Sequence, residues 1–280
     1  MLIKQRNYRH TDNGKPALSG RIAGFVCLVV LAIAALRGPL AAQAAGPAGG
    51  ESFFDDFDGF EQSRWQVSDG WVNGDWQNCT WSRQAVTSGD GLLNLHFRRQ
   101  KNDRRSYICA EIQSREKYGY GAYEIRLRTQ KGSGLNAAFF TYTGASQGTV
   151  HDEIDVELLL RDTGRVSVNT YVSGRPENGA TLDLAHASDA GFTQFAFVWG
   201  PDGIDWYVDN RRVHATAGSR ALPSTAQKIF ASFWGSDTFS DWMGPFADPG
   251  GDLVVQIDWI AYTRRGEGCQ FAQSVLCAGD

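Results

Sequence analysis

The stretch His151-Asp-Glu-Ile-Asp-Val-Glu-Leu-Leu159 sets three acids, Glu153, Asp155 and Glu157, at alternate positions. In an extended strand, residues i, i+2 and i+4 share a face. The three carboxylates therefore line up, and Ile154, Val156 and Leu158 point the other way. Like charges side by side cost stability, and no Lys or Arg lies between His151 and Leu160 to neutralise them. Such alternation ordinarily means a solvated polar face, and a set of calcium ligands is a second reading. Breaks of local rules are nevertheless expected mainly at functional sites. The chemistry that wants this arrangement is glycoside hydrolysis, with one carboxylate attacking the sugar and a protonated partner serving the leaving oxygen. Retention of configuration sets the two carboxyls ~5–5.5 Å apart, whereas i and i+4 of a flat strand are ~13 Å apart at Cα. The two glutamates must therefore lean together across a bent, twisted strand. Asp155 between them can share a proton with one, and mutual repulsion raises at least one pKa.

The elements that would position these acids read as short strands separated by turns. Leu92–Phe97, Ala122–Arg128, Leu135–Tyr142, Arg165–Val172, Gln194–Trp199 and Val254–Thr263 are examples. Pro201-Asp202-Gly203 and Asp209-Asn210 punctuate hairpins around the half-buried run Ile204-Asp-Trp-Tyr-Val-Asp. No stretch of 12 residues carries convincing 3.6-residue periodicity, and 32 glycines suit turns better than helices. The expectation is an all-β fold of two packed antiparallel sheets. Ser167, Asn169 and Tyr171 form a second polar and aromatic alternation that could line the surface of the acids. Tryptophans are usually packing residues. Trp71, Trp76 and Trp81, interleaved with Asn73, Asp75, Gln77 and Asn78, offer flat faces and hydrogen-bonding groups that suit sugars.

The beginning of the chain reads differently. Lys4, Arg6, Arg9, Lys15 and Arg21 precede an apolar run from Ile22 to Leu36, and small residues end in Ala42-Gln43-Ala44. That pattern is a cleaved secretory signal over residues 1–44. An uncleaved anchor is the alternative, but the run is shorter than the ~20 residues a spanning helix needs. Six of the 27 basic and one of the 31 acidic residues lie in 1–44, leaving 21 basic against 30 acidic residues, a charge near −9. Nucleic acid and anionic lipid are poor partners for that charge; a neutral sugar polymer is compatible. Residues 45–52 form a glycine-rich flexible leader. About 236 residues in all suit a single domain, since all-β domains often reach that size undivided. Four cysteines remain after cleavage, an even count that suggests disulfides in an exported protein. Four allow three pairings, and the sequence does not choose. Proximity favours Cys269–Cys277, which leaves Cys79–Cys109 to close a longer loop. No C-x2-C spacing or histidine cluster supports a metal site instead.

Glu153-Ile-Asp-Val-Glu157 resembles the catalytic signature of glycoside hydrolase family 16, the laminarinase, lichenase, agarase and xyloglucan-transferase group. Lys117-Tyr-Gly-Tyr-Gly-Ala-Tyr-Glu, Ala138-Phe-Phe-Thr-Tyr-Thr-Gly, Asp205-Trp-Tyr-Val-Asp, Asp69-Gly-Trp and Asn78-Cys-Thr-Trp resemble its lichenases. Within them the likeness is greatest to rhizobial-type endo-β-1,3-1,4-glycanases acting on succinoglycan-like exopolysaccharides. The resemblance runs roughly from Phe53 to Thr263 and implies a β-jelly roll with a substrate cleft on the concave face; the catalytic domain is expected over 53–265, and the disulfide-stapled tail over 266–280 has no counterpart in the family. It implies Glu153 as nucleophile, Asp155 as its helper and Glu157 as acid/base. By the same resemblance Asn73, Glu111, Tyr142, Asn169, Tyr171 and Trp234 contact sugars, and Cys79 pairs with Cys109. No cofactor is required for chemistry, and Asp258 matches the position of a structural calcium ligand. Two departures, His151 where lichenases tend to have Trp and Glu111-Ile112-Gln113 for a Glu-Asn-Arg segment, favour a substituted exopolysaccharide over plain mixed-linkage glucan.

The expectation is thus a secreted, extracellular or periplasmic, retaining endo-β-glycanase, monomeric, with a polysaccharide as its partner and no nucleic acid or membrane after signal cleavage. A transglycosylase would use the same residues, with a sugar hydroxyl replacing water. A non-catalytic carbohydrate-binding jelly roll is the third reading, and it has no need of two opposed glutamates.

Overall fold

A computed structural model describes residues 46–277 apart from 48 and 219. The signal expected over 1–44 lies outside the described residues, as do the last three residues of the tail. Alternation governs the architecture. In Leu92–Arg99, Leu93, Leu95 and Phe97 are buried while the residues between them are less so, which is the period of a half-buried strand. The strands expected from the sequence form, with ends shifted by two residues at most.

Two sheets result. The inner one runs Trp65–Val67, Tyr107–Ser114, Lys228–Gly235, Leu135–Thr143, Asp152–Leu159, Arg165–Val172 and Ala180–Asp183, all antiparallel. The outer one runs Val86–Gly89, Leu92–Arg99, Leu253–Arg264, Gly121–Arg128, Thr193–Trp199, Ile204–Val208 and Arg211–Ala215. The sheets join at one edge, where Arg98 and Arg99 pair with Ile108 and Tyr107, so the whole curls into the expected jelly roll. One pairing departs from the antiparallel rule: Cys79–Trp81 lies parallel to Tyr107–Cys109, where the Cys79–Cys109 disulfide closes. Among the described residues the one α-helix is the single turn Ser240–Met243. The Asp209-Asn210 hairpin turn has positive φ at both residues, 46° and 62°, the backbone that matches strand twist in a two-residue turn.

Aromatic and branched side chains meet between the sheets. Phe139 of the inner sheet faces Phe197 of the outer at 6.0 Å, and Phe97 faces Phe233 at 5.9 Å. Ile154, Val156 and Leu158 are buried in this layer as the alternation requires. Each contributes about 1.5–3 kcal/mol by burial, which offsets the cost of the acids between them. The indole of Trp206 crosses the layer and donates to the backbone carbonyl of Asp155 at 3.3 Å.

Both ends of the described chain are tied to this body. Gly50, in the leader, donates its N–H to the Lys117 carbonyl at 2.8 Å. Past Arg264 the tail closes on itself through Cys269–Cys277. It sets Phe271 against Phe54 and Trp259 and lays Val275 on Ala122 and Ala196. No helix among the described residues is long and apolar enough to cross a membrane.

Candidate active site

Register places the functional side chains. Asp152–Leu159 pairs with Leu135–Thr143 on one side and Arg165–Val172 on the other, with no bulge in either ladder. Directly opposed residues of neighbouring strands share a face. Tyr142, Glu153 and Tyr171 therefore form one row across the sheet, Phe140, Asp155 and Asn169 the next, and Ala138, Glu157 and Ser167 the third. The rows continue outward through Lys228, Phe230 and Ser232, and Glu111 stands opposite Ser232. Trp234 lies opposite Asn136 on the same face. Glu111, Tyr142, Asn169, Tyr171 and Trp234 are thus brought to the surface that carries the three acids. The Ser167, Asn169 and Tyr171 alternation is there too.

The acids are sunk into this surface. Glu153 and Asp155 are each 4% exposed, and Glu157 is partly buried. Burial pushes Asp155 far above the usual carboxylate range, the charges of Glu153 and Glu157 push it further, and a hydrogen bond with Glu153 acts in the same direction. Asp155 is therefore the member of that pair that holds the proton. Burial also carries Glu157 up to about 7, opposed by a hydrogen bond from Asn136 and helped by the charge of Glu153. The Asn136 amide reaches Glu157 Oε1 at 3.0 Å. Tyr171 is raised by burial and then by all three carboxylates.

Other expected residues have more local duties. Asn73 accepts from the Trp81 indole at 3.0 Å, and its N–H donates to Gln77 Oε1 at 2.8 Å. It therefore shapes the loop that follows Trp71 and lies outside the three rows. Trp81 is a core residue. Trp76 packs edge-on to Trp234 at 5.0 Å and lies near Phe239, while Trp71 is exposed. Glu111 accepts from Ser68 Oγ at 2.6 Å, and burial lifts it to about 7. Asp258 is ion-paired with Arg126. A guanidinium already neutralises the carboxylate expected to meet calcium, and among the described residues no group of three His, Cys, Asp or Glu is placed to hold a metal.

Two residues of the site were not among the expected sugar-contacting or catalytic groups. Asn136 is a fully buried amide at the apolar start of its strand, beside Leu135, Ala137 and Ala138. That anomaly was visible in the sequence, but its partner 21 positions away was not. His151 bonds Glu153 at 2.6 Å.

The geometry agrees with what the chain is similar to. The family model of glycosyl hydrolases family 16 matches residues 73–261. Endo-1,3-1,4-beta-glycanase ExoK of Rhizobium meliloti (strain 1021) is 46% identical over 229 residues, 81% of this chain and 84% of that protein. A beta-glucanase of Bacillus subtilis (strain 168) is 35% identical over 218 residues, 77% of this chain and 88% of the other. The solved Bacillus licheniformis beta-glucanase superposes with a TM-score of 0.72 at 33% identity, covering 77% of this chain and 99% of its own. On the family match and these identities, the chain belongs to glycosyl hydrolase family 16 and is a glycoside hydrolase.

Proposed function

We propose that the protein is a secreted, retaining endo-β-glycanase that cuts β-1,3/1,4-linked glucan or a succinoglycan-like exopolysaccharide. The observation that carries this reading is the placement of Glu153, Asp155 and Glu157 on one face of one strand, sunk between Tyr142, Tyr171 and Asn169 of its neighbours, where burial and the neighbouring carboxylates push Asp155 and Glu157 upward. A glycosidase needs one ionised and one protonated carboxyl at neutral pH. In the first step Glu153 attacks the anomeric carbon. The glycosidic C–O bond breaks with its electron pair going to the leaving oxygen, which takes the proton of Glu157. In the second step Glu157, now a carboxylate, takes a proton from water as that oxygen attacks the same carbon, and Glu153 is released from the sugar ester.

The substrate class follows the names of the relatives, an endo-1,3-1,4-beta-glycanase and beta-glucanases. The floor suits a long polymer, with Trp76 and Trp234 at one end and Tyr142 and Tyr171 beside the nucleophile. Secretion is supported by the two disulfides, which persist in oxidising compartments. The test is a digest of mixed-linkage β-glucan, laminarin and a succinoglycan-type polysaccharide, with mass spectrometry of the products and NMR of the released anomer. Oligosaccharides that appear first as the β-anomer are expected from the first or third. Release of the inverted anomer would sink the mechanism, and products longer than the starting oligomers would identify a transglycosylase.

A further inference from the structure

We infer that His151 is a positioning residue for the nucleophile, holding the Glu153 carboxylate at Oε2. This rests on the assignment of Glu153 as nucleophile. His151 Nε2 lies 2.6 Å from Glu153 Oε2, and His151 immediately precedes the strand Asp152–Leu159 that carries Glu153. The ring is clamped. Tyr171 stacks on it with centroids 5.1 Å apart and planes 15° from parallel, and Tyr142 meets it edge-on, also at 5.1 Å. These tyrosines are the cross-strand neighbours of Glu153 itself, so the register that sets the nucleophile also fixes the imidazole. The backbone of His151 is pinned as well, its carbonyl accepting from Gly174 N–H at 2.8 Å.

The direction of the bond follows from the assigned role. A nucleophile attacks as the carboxylate, so Glu153 accepts from its partners, Asp155 among them. A carboxylate has no proton to give to a second partner. His151 Nε2 must then carry the hydrogen and donate. Glu153 thus sits between two donors, Asp155 from one side and His151 from the other. A carboxylate held at Oε2 loses freedom to rotate about its terminal bond. Orientation of that kind lowers the barrier of the attack without adding to substrate affinity.

A bulky ring packed between two tyrosines could serve packing alone, and the two roles separate cleanly. His151→Phe keeps the stacking and loses the N–H; His151→Gln loses the ring and keeps an amide N–H at the reach of Nε2. With Glu153→Gln, they should be assayed for kcat and KM on the polysaccharide that wild type cleaves, with thermal melting to confirm folding. Losing a hydrogen bond to a charged group corresponds to about 10- to 100-fold in rate. Positioning predicts that kcat of His151→Phe falls by about that factor with KM within about twofold, and that His151→Gln recovers most of it. A folded His151→Phe as active as wild type, or a His151→Gln no better than His151→Phe, overturns the inference. Activity in Glu153→Gln would instead overturn the nucleophile assignment, so the two failures are distinguishable.

Discussion

Glu124 in the outer sheet and Glu157 in the inner one are both acids that burial pushes upward, yet their surroundings differ in kind. Glu124 is 0% exposed and faces the tail. Ser274 Oγ donates to its Oε1 at 2.6 Å, and the Val275 N–H and Gln194 amide donate to Oε2 at 2.9 and 3.0 Å. Every one of those bonds opposes the effect of burial. Glu157 has one amide donor, Asn136, and the charge of Glu153 acts against it. A structural acid is surrounded by donors that tolerate its charge. A reactive one is surrounded by acids that keep its proton on. Burial alone does not separate them; the neighbours do.

The sharpest way to break that contrast is to remove each carboxylate in turn. Glu157→Gln should lower kcat/KM on polysaccharide by on the order of a hundredfold or more, the scale of general acid catalysis. Wild type should show a basic limb falling near pH 7, because Glu157 must be protonated to donate and loses its proton as pH rises through about 7. With an aryl glycoside whose leaving group needs no acid, that limb should vanish in Glu157→Gln, and azide should restore turnover. A limb that persists would mean another group titrates. Glu124→Gln, by contrast, should cost about 1–3 kcal/mol of stability through mismatched donors and leave the pH profile where it was. Urea melts and the same kinetics measure both, and a displaced limb would show that the tail reaches the site. The smallest effect belongs to Asn136→Ala. Removing the donor that lowers Glu157 should move the basic limb to higher pH; a shift downward would reverse the role given to the amide.

The acids were legible because a strand has a period of two and Glu153, Asp155 and Glu157 keep it without interruption. Leu92–Arg99 and Arg165–Val172 were legible for the same reason, and the Asp209-Asn210 turn because its residues tolerate positive φ. What the sequence hid was everything set by partners far along the chain. Asp258 looks like a free carboxylate until the ladder beside Gly121–Arg128 brings Arg126 to it. Trp71, Trp76 and Trp81 look alike, yet one is exposed, one packs on Trp234 and one lies in the core. The cysteine pairing of the tail was readable from proximity, but not its destination on Glu124.

The unbroken ladders on both sides of Asp152–Leu159 also limit what this strand can tolerate over generations. A substitution there changes one side chain. A single inserted or deleted codon between Asp155 and Glu157 would turn every later residue over, sending Glu157 into the apolar layer and Leu158 into the cleft, unless the backbone absorbed it as a bulge. Its apolar positions can exchange one branched side chain for another while its length stays almost fixed, so natural length variation should collect in its flanking turns.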